Sequence, residues 1–180
     1  MTQLISNEYK EQCILLHQQS PQWGNAAGDP KLHKSTAQFI RSIWEHNGKG
    51  SILDYGCGKG YVAIHLDVPV MEYDPGIPGK DQSPEPAALV VCLDVLEHIE
   101  PEYLEVVLKD LQRVVLKRGI FSISHNLATA ILPDGRNAHL IIKDSDWWLK
   151  KLLDYFHIEF FSSANHQSVV VLKKLHDGSY

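Results

Sequence analysis

The sequence has few of the features that mark secreted, membrane-spanning or nucleic-acid-binding proteins. Three cysteines in 180 residues are too few, and odd in number, for a disulfide framework, so we expect reduced thiols and a cytoplasmic location. No apolar run approaches membrane-spanning length, and the amino terminus lacks a basic region followed by an apolar block. The formal net charge of −5 offers no general attraction for nucleic acid, which disfavours a polynucleotide partner.

The composition is that of one globular domain. The apolar fraction of 44% and the charged fraction of 22% are ordinary for a folded protein, and 180 residues can bury one core. We expect a single domain over residues 1–180, with a helical segment at 1–47 and a cofactor-binding core at 50–180. Within the first segment, apolar spacing and stop signals predict helices at 7–19 and 34–46.

The most informative stretch runs from Ile52 to Gly60 and reads as a strand entering a glycine turn. Its glycines are Gly56, Gly58 and Gly60. Glycine has no Cβ, so the backbone can approach a ligand closely or adopt positive φ there. Asp54 lies just before the turn, where its carboxylate can brace the turn or face the cofactor. Because such runs also close ordinary tight turns, the interpretation needs support from elsewhere in the chain.

Two further apolar runs supply that support. Residues 70–73 read as a second strand that ends at Asp74, and residues 88–93 read as a third strand that ends at Asp94. The carboxyl ends of parallel strands meet at one edge of a sheet, where nucleotide-binding units place their ligands. We therefore expect the glycine turn and both aspartates to line one crevice.

These motifs resemble those of the class I S-adenosylmethionine-dependent methyltransferases. The resemblance rests on LDYGCGKG as the first cofactor motif, EYDP as the acidic end of the second strand, and VVCLDVLEHIEPE as the strand-four motif. A closer likeness, over most of the chain, is to small methyltransferase-domain proteins of phages and bacteria that share DYGCGKG, DVLEHIEP and LPDGRNAHLI. It implies an α/β, Rossmann-like fold with a mostly parallel twisted sheet and S-adenosylmethionine as the methyl donor.

The resemblance also implies which residues bind the donor. The three glycines would admit its methionine portion, and Asp54 would hold the turn or the donor's amino group. Asp74 would accept the ribose hydroxyls. Cys92 and Asp94 would line the adjacent edge of the crevice.

The chain departs from the usual fold between Asp74 and Ala87. Only twelve residues lie there, and four of them are proline, Pro75, Pro78, Pro84 and Pro86. The family normally has a helix and a third strand in this region. Proline disfavours both elements, so we expect a loop and a sheet that is shortened after strand 2. The adenine pocket would then be closed by this loop or by the segment around Trp23.

The second half of the chain predicts the rest of the sheet. Glu100 and Pro101 start a helix whose apolar stripe reaches Val115 and which Gly119 ends. The elements expected after it are a strand at 120–124, a helix from Ser145 to about Phe156, and a terminal antiparallel hairpin of 157–162 and 168–172 around Asn165 and His166.

The cluster after the third strand is the first candidate for chemistry. Glu97 and His98 could simply cap or brace the helix that follows. They could instead bind Mg²⁺ or Mn²⁺ together with Asp94 and His139, as similar E-x-x-E-H clusters do in ubiquinone-pathway O-methyltransferases and in enzymes that methylate small-RNA ends. Here Asp94 replaces the first glutamate. In a third interpretation, His98 or His139 is a general base, since imidazole titrates near neutrality.

The loop from Leu132 to His139 is the second candidate. Pro-Asp-Gly within it is a turn signal by itself, so a solvated turn is one interpretation. Arg136 and Asn137 exceed what a turn requires and predict a substrate-binding loop. Arg136 could bind a phosphate or carboxylate, which would make the acceptor anionic.

We therefore expect a methyltransferase that acts on a hydroxyl of a small molecule or of a terminus, with metal or histidine assistance. An RNA-end 2′-O-methyltransferase is one alternative. An NAD-dependent oxidoreductase is another, although the glycine spacing lacks the third position of the dinucleotide fingerprint. A non-catalytic nucleoside-binding or partner module is the last, and the missing helix and strand are its best support.

Overall fold

The computed structural model describes residues 3–20, 23–24 and 30–175. Residues 1–2, 21–22 and 25–29 of the predicted helical segment lie outside the described residues, as do residues 176–180. The helices are α1 (Asn7–Gln19), α2 (Pro30–His46), α3 (Tyr61–Leu66), α4 (Leu104–Val114) and α5 (Ser145–Leu153). The strands are β1 (Ile52–Tyr55), β2 (Met71–Tyr73), β3 (Ala87–Leu93), β4 (Val115–Ser124), β5 (Phe156–Ala164) and β6 (Gln167–Lys174).

The strands form one six-stranded sheet in the order β2-β1-β3-β4-β6-β5. Strands β2, β1, β3 and β4 run parallel to one another. Strand β6 is antiparallel to both of its neighbours, β4 and β5. This is the predicted mostly parallel, Rossmann-like sheet with a terminal antiparallel hairpin, and the prediction is confirmed. Parallel strands of this kind place their carboxyl ends, and hence the ligand crevice, along one edge.

Helices cover both faces of the sheet, and β1 is accordingly buried at every position and β3 at all but its last, rather than at every second position. On one face, Ile52 and Leu89 pack in a cluster with Ile40 of α2. On the other face, Leu53 and Val90 pack in a cluster with the apolar stripes of α4 and α5. The two layers of side chains fix the height and direction of the central strands and so the position of the crevice.

The connection from β2 to β3 is the predicted loop. Residues 75–86, all of which the structure describes, form neither helix nor strand. The backbone of Asp74 donates to the carbonyl of Lys80 at 2.9 Å, and Lys80 donates to that of Ile77. The loop therefore turns back on itself, and β2 becomes an edge strand of only three residues.

Two predicted boundaries were wrong. The helix before β4 ends at Val114 and β4 starts at Val115, four residues before Gly119, which was expected to end the helix. Gly119 instead lies inside β4, where a Cβ would come within 2.7 Å of the Leu172 side chain on β6. The glycine thus serves close packing between strands. Similarly, α5 ends at Leu153, and Phe156 begins β5.

Helix α1 lies against the turns that follow β3. The Ser6 hydroxyl caps the helix by accepting from the backbone of Tyr9 at 3.0 Å, and it donates to Glu100 at 2.7 Å. The backbone N–H of Ser6 donates to the other oxygen of Glu100 at 2.8 Å. The Tyr9 hydroxyl donates to the carbonyl of His98 at 2.8 Å. These contacts bring the amino-terminal helix to the carboxyl edge of the sheet.

The structure shows the state of the three cysteines and the length of the helices. Cys13, Cys57 and Cys92 are all buried free thiols, as expected. Burial raises the pKa of each thiol, so none is a ready thiolate at neutral pH. Across residues 3–20, 23–24 and 30–175, none of the helices is both long and apolar enough to cross a membrane.

The turn between β5 and β6 generates a stability prediction. Asn165 and His166 have φ of +51° and +61°, so both central residues adopt the conformation that a type I′ turn requires. Glycine has no steric penalty there, so His166→Gly should raise the free energy of unfolding by about 0.5–1 kcal/mol. Urea denaturation checks this. Ser163→Gly, at an exposed position of β5, should lower it by a similar amount, and a loss in both variants would contradict the explanation.

Candidate active site

The glycine turn joins β1 to α3 at the carboxyl edge of the sheet. The backbone N–H groups of Gly56 and Cys57 both donate to the carbonyl of Tyr73 in β2, at 2.7 and 3.0 Å. Gly56, Gly58 and Gly60 have φ of +77°, +50° and +81°. Residues with a Cβ rarely occupy this region, so the turn in this form depends on glycine.

The carboxylate of Asp74 holds the turn from the end of β2. One oxygen accepts from the backbone N–H of Gly58 at 2.9 Å, and the other accepts from that of Gly76 at 2.9 Å. The Nε2 atom of His17 lies 3.8 Å from the carboxylate. Asp74 is buried, and both of its oxygens bind backbone groups. Its predicted contact with the ribose hydroxyls stays a prediction.

Glu72 is the acidic side chain of β2 that faces the glycine turn. A Cβ on Gly60 would overlap its Oε1 atom, so the carboxylate lies directly against the turn. Its Oε2 atom is 3.0 Å from the ammonium of Lys80. Sequence-based prediction missed Glu72, although the two-residue period of a strand could have indicated it, because positions 72 and 74 share a side.

Asp54 and Cys92 lie behind the crevice. Burial, followed by repulsion from Glu72 and then Asp74, raises the pKa of the Asp54 carboxyl to about 7. Asp54 is only 3% exposed, and the Cys92 side chain is completely buried in the core cluster under α4. Of these two predicted cofactor residues, Asp54 adjoins the acidic groups of the crevice, whereas the Cys92 thiol points into the core.

Asp94 has an unusual backbone at the end of β3. Its φ of +52° is rare for a residue with a side chain. The backbone N–H of Asp94 donates to the carbonyl of Ser122 at 3.0 Å, and its carboxylate accepts from the Ser122 hydroxyl at 2.9 Å and from the Gln167 amide at 2.8 Å. These contacts hold the exposed Asp94 carboxylate against β4 and β6.

Glu97 lies on a single 3₁₀ turn, Leu96–His98, and is completely buried. Its Oε1 atom accepts from the backbone N–H of Ser124 at 2.7 Å, and its Oε2 atom has no hydrogen-bond partner among the described residues. Burial, followed by repulsion from Asp94, raises the pKa of the carboxyl to about 8. Glu97 is therefore held mainly as the neutral acid at pH 7.

His98 and His139 face each other edge to face, with ring centroids 4.6 Å apart. The Nδ1 atom of His98 is 2.8 Å from the carbonyl of Ala138, and the Nδ1 atom of His139 bonds the carbonyl of Asn126. A carbonyl only accepts, so each Nδ1 carries the hydrogen and each Nε2 of the neutral ring has a free lone pair. Burial, followed by repulsion from His139, lowers the pKa of His98 to about 4.

Three of the four predicted metal ligands come together. One possible ligand atom from each of Glu97, His98 and His139 lies within 4.8 Å of the others, and we call these residues the carboxylate–histidine cluster. Asp94 is not in this group, because its carboxylate bonds Ser122 and Gln167. The cluster adjoins the glycine turn, since a Cβ on Gly56 would overlap the side chain of Val95, three residues before His98.

Arg136 lies on the exposed loop between β4 and α5. Its guanidinium pairs with Asp134 at 2.7 Å and lies over the Tyr9 ring, 5.9 Å from the ring centroid. The Asp134 carboxylate also accepts from Gln12 at 2.9 Å. The predicted substrate-binding residue Arg136 therefore contacts α1 rather than the carboxylate–histidine cluster.

Asn137 braces the same loop with its side-chain amide. Its oxygen accepts from the backbone N–H groups of Ala128 and His139, both at 3.0 Å, and its nitrogen donates to the carbonyl of Ala128 at 2.9 Å. The amide thus sets the position of His139 in the site. Direct contact of Asn137 with a substrate stays a prediction.

Trp23 is a further side chain at the cluster. Its ring lies edge-on to His98, with centroids 5.2 Å apart, and 6.2 Å from the ring of His17. The sequence indicates Trp23 only through its segment, as one way to close the adenine pocket. Its approach to His98 depends on the path of the chain between α1 and α2, which has no local sequence signal.

A family model described as a methyltransferase domain matches residues 30–169. The chain belongs to this methyltransferase domain family. Membership confirms the predicted S-adenosylmethionine-dependent methyltransferase and disfavours the oxidoreductase. A search of curated proteins finds no match.

Solved structures similar to the methyltransferase share its fold at low sequence identity. DhpI, in complex with S-adenosylhomocysteine, is 14% identical with a TM-score of 0.68, covering 94% of this chain and 98% of that one. The N-methyltransferase NodS of Bradyrhizobium japonicum, also with S-adenosylhomocysteine, is 12% identical with a TM-score of 0.63, covering 92% and 98%. The Burkholderia thailandensis 1,6-didemethyltoxoflavin-N1-methyltransferase, with 1,6-didemethyltoxoflavin and S-adenosylhomocysteine, is 14% identical with a TM-score of 0.59, covering 97% and 93%.

The raised pKa of Glu97 predicts how the stability of the methyltransferase depends on pH. The ordinary value is 4.5 and the folded value is about 8, so between these values the folded state binds a proton that the unfolded state releases. Stability from this group is complete below pH 4.5 and is lost as pH rises through 8. Glu97→Gln removes this dependence, so its stability relative to wild type should rise by about 1.6 kcal/mol from pH 6.5 to 8.

Urea denaturation in the presence of a chelator measures this difference. Asp54 titrates in the same range, but it is present in both proteins and cancels in the comparison. Parallel curves for wild type and variant would mean that Glu97 is ionised in the fold.

Proposed function

We propose that the protein transfers a methyl group from S-adenosylmethionine to a hydroxyl of a small-molecule or terminal acceptor bound beside the carboxylate–histidine cluster. One observation carries the proposal. Both neutral imidazoles are held as Nδ1–H tautomers, and one ligand atom from each of His98, His139 and Glu97 lies within 4.8 Å of the others, beside the turn whose Val95 contacts the glycine turn. A neutral imidazole nitrogen can accept the proton of a hydroxyl.

The residues of the crevice fit the methyl donor. The three glycines adopt positive φ, and backbone without side chains at such a turn can approach a methionine group closely. Glu72 presents a carboxylate beside Gly60, which suits hydrogen bonds to the ribose hydroxyls. Asp74 holds the turn through Gly58 and Gly76. Glu72 is thus our preferred ribose ligand, with Asp74 as the alternative.

When bound, S-adenosylmethionine supplies a methyl group that its sulfonium already activates. The protein must therefore align the acceptor and remove its proton. A neutral imidazole is required for this, and the lowered pKa of His98 keeps that ring neutral at pH 7. The Ala138 and Asn126 carbonyls hold the rings so that a proton would be accepted at Nε2. Glu97 lies close to both histidines and, as the neutral acid, can donate a hydrogen bond there rather than take up the proton.

The same three residues fit a divalent cation. Two imidazole nitrogens and one carboxylate oxygen within 4.8 Å can be ligands to Mg²⁺ or Mn²⁺, and Oε2 of Glu97, which has no partner among the described residues, would gain one. A bound ion would lower the pKa of an acceptor hydroxyl. The buried, neutral Glu97 would then have to ionise, which couples metal binding to proton release.

Acceptor contacts through Arg136 would require a rearrangement. The guanidinium is paired with Asp134 and is about half exposed. An anionic acceptor could exchange with Asp134, since the pair lies at the surface, where such pairs are weak. Arg136 and Asn137 are proposed on this basis as the acceptor-side residues of the loop.

A non-catalytic nucleoside-binding module is the second candidate. It is favoured by the loop at residues 75–86, which replaces the helix and strand of the usual fold, and by the pairing of Glu72 with Lys80. The module would bind S-adenosylhomocysteine without turnover of any acceptor, or would bind no nucleoside.

Binding of S-adenosylhomocysteine distinguishes Glu72 of β2 from Asp74, which follows the strand, as the ribose ligand. Glu72→Gln should weaken binding at least about tenfold, or about 1.4 kcal/mol, without loss of stability, because Glu72 would contact the ribose. Asp74→Asn should weaken binding and lower stability, since it loosens the turn. Calorimetry and urea denaturation provide the two measurements. Glu85→Gln, at an exposed position of the loop at residues 75–86, is the control and should bind as wild type does.

If Glu72→Gln bound S-adenosylhomocysteine with unchanged affinity while a stable Asp74→Asn variant bound it more weakly, Asp74 would be the ribose ligand instead of Glu72. No binding by the wild-type protein would favour the non-catalytic module without nucleoside affinity.

Manganese binding tests the metal proposal without an acceptor. Electron paramagnetic resonance at pH 8 should detect one bound Mn²⁺ per chain, and His139→Gln should lower its affinity at least about tenfold through loss of one ligand. His157→Gln, at an exposed position of β5, should bind as wild type does. Equal binding by His139→Gln would exclude the cluster as the metal site and leave the general-base interpretation.

A further inference from the structure

Lys59, the non-glycine residue between Gly58 and Gly60, fastens the amino-terminal part of the chain to the glycine turn. Its backbone N–H donates to the carbonyl of Gly24 at 2.8 Å, and its ammonium donates to the carbonyl of Ser20 at 2.6 Å. The second bond is charge-assisted and therefore stronger than a neutral one. Lys59 thus binds both Ser20, which follows α1 directly, and Gly24.

The segment and the turn meet backbone to backbone. A Cβ on Gly58 would overlap the carbonyl of Gly24, and a Cβ on Gly24 would come within 3.1 Å of the Cα of Gly58. Neither residue could carry a side chain in this arrangement. The close contact between Gly24 and Gly58 therefore requires glycine at both positions.

This attachment places Trp23 against the carboxylate–histidine cluster. The backbone N–H of Trp23 donates to the hydroxyl and the carbonyl of Ser20, at 3.2 and 3.3 Å, which closes a turn. The Trp23 ring packs beside the apolar cluster of Tyr9 and Ala138 and lies edge-on to His98. Ala138 is the residue whose carbonyl fixes the His98 tautomer. Trp23 therefore contacts His98 and the apolar cluster that contains the hydrogen-bond partner of that ring.

We propose that Lys59 and Trp23 are positioning residues that couple the glycine turn to His98. A change at the turn, such as entry of the methyl donor, would move Lys59, the attached segment and Trp23 together, and so adjust the ring that faces the acceptor. The part of this inference that concerns the reaction rests on the proposed function. The mechanical coupling does not, because it follows from contacts within the chain.

Imidazole C–H resonances of His98, assigned with His98→Gln, test the coupling in the free protein. The Trp23 ring displaces them through its ring current, and Trp23→Ala should abolish that displacement, whereas Trp23→Phe should retain part of it. Lys59→Met should cause the same loss because the segment is released. Lys117→Met, which removes an ammonium from the carbonyl of Asn47 at the surface, should leave the resonances in place.

Addition of S-adenosylhomocysteine tests the coupling to the turn. In wild type and Trp23→Phe, the His98 resonances should shift on binding, and at saturating ligand the shift should be smaller in Trp23→Ala and Lys59→Met, where only the direct effect of the ligand remains. A full shift in either of these variants would contradict the coupling. If wild type bound no ligand, the proposed function would fail, and the free-protein spectra would still decide whether Lys59 positions Trp23.

Discussion

The carboxylate of Asp74 is the interaction on which the site depends. It binds the backbone of Gly58 in the glycine turn and of Gly76 in the proline-rich loop, and it faces His17 of α1. Two segments distant in sequence, the glycine turn and α1, thereby meet at the end of β2, and the loop that follows β2 is held at the same carboxylate. Because the carboxylate is buried, each of these bonds is stronger than it would be in water, and loss of the charge would leave the turn amides unpaired.

The chemistry of the site is set by groups outside the reacting atoms. Two backbone carbonyls decide which nitrogen of each histidine carries the hydrogen, and burial keeps Glu97 protonated and His98 neutral. Proton-accepting and metal-binding functions need the same free nitrogens, so one arrangement supports both. They differ in the charge of Glu97, which a cation would require to be negative. Protonation of this one carboxyl therefore separates the two modes of catalysis.

Local signals in the sequence were enough to predict the sheet, the glycine turn and the loop that replaces a helix and a strand, because proline, glycine and apolar runs act on their own neighbourhood. The start of β4 was missed, since Gly119 is explained by contact with a distant strand. Glu97 and His98 are neighbours in the sequence after the third strand, whereas His139 could be grouped with them only through the family resemblance. Trp23 escaped notice as a neighbour of His98, because its place is determined by tertiary contacts with no periodic pattern.

A crystal structure of the complex with S-adenosylhomocysteine would test the central claim most directly. We expect the ligand in the crevice, its ribose on the carboxylate of Glu72 or Asp74 and its sulfur directed towards the carboxylate–histidine cluster. A ligand bound with its sulfur facing away from Glu97, His98 and His139, or bound outside the crevice, would contradict the proposal that these residues receive the acceptor.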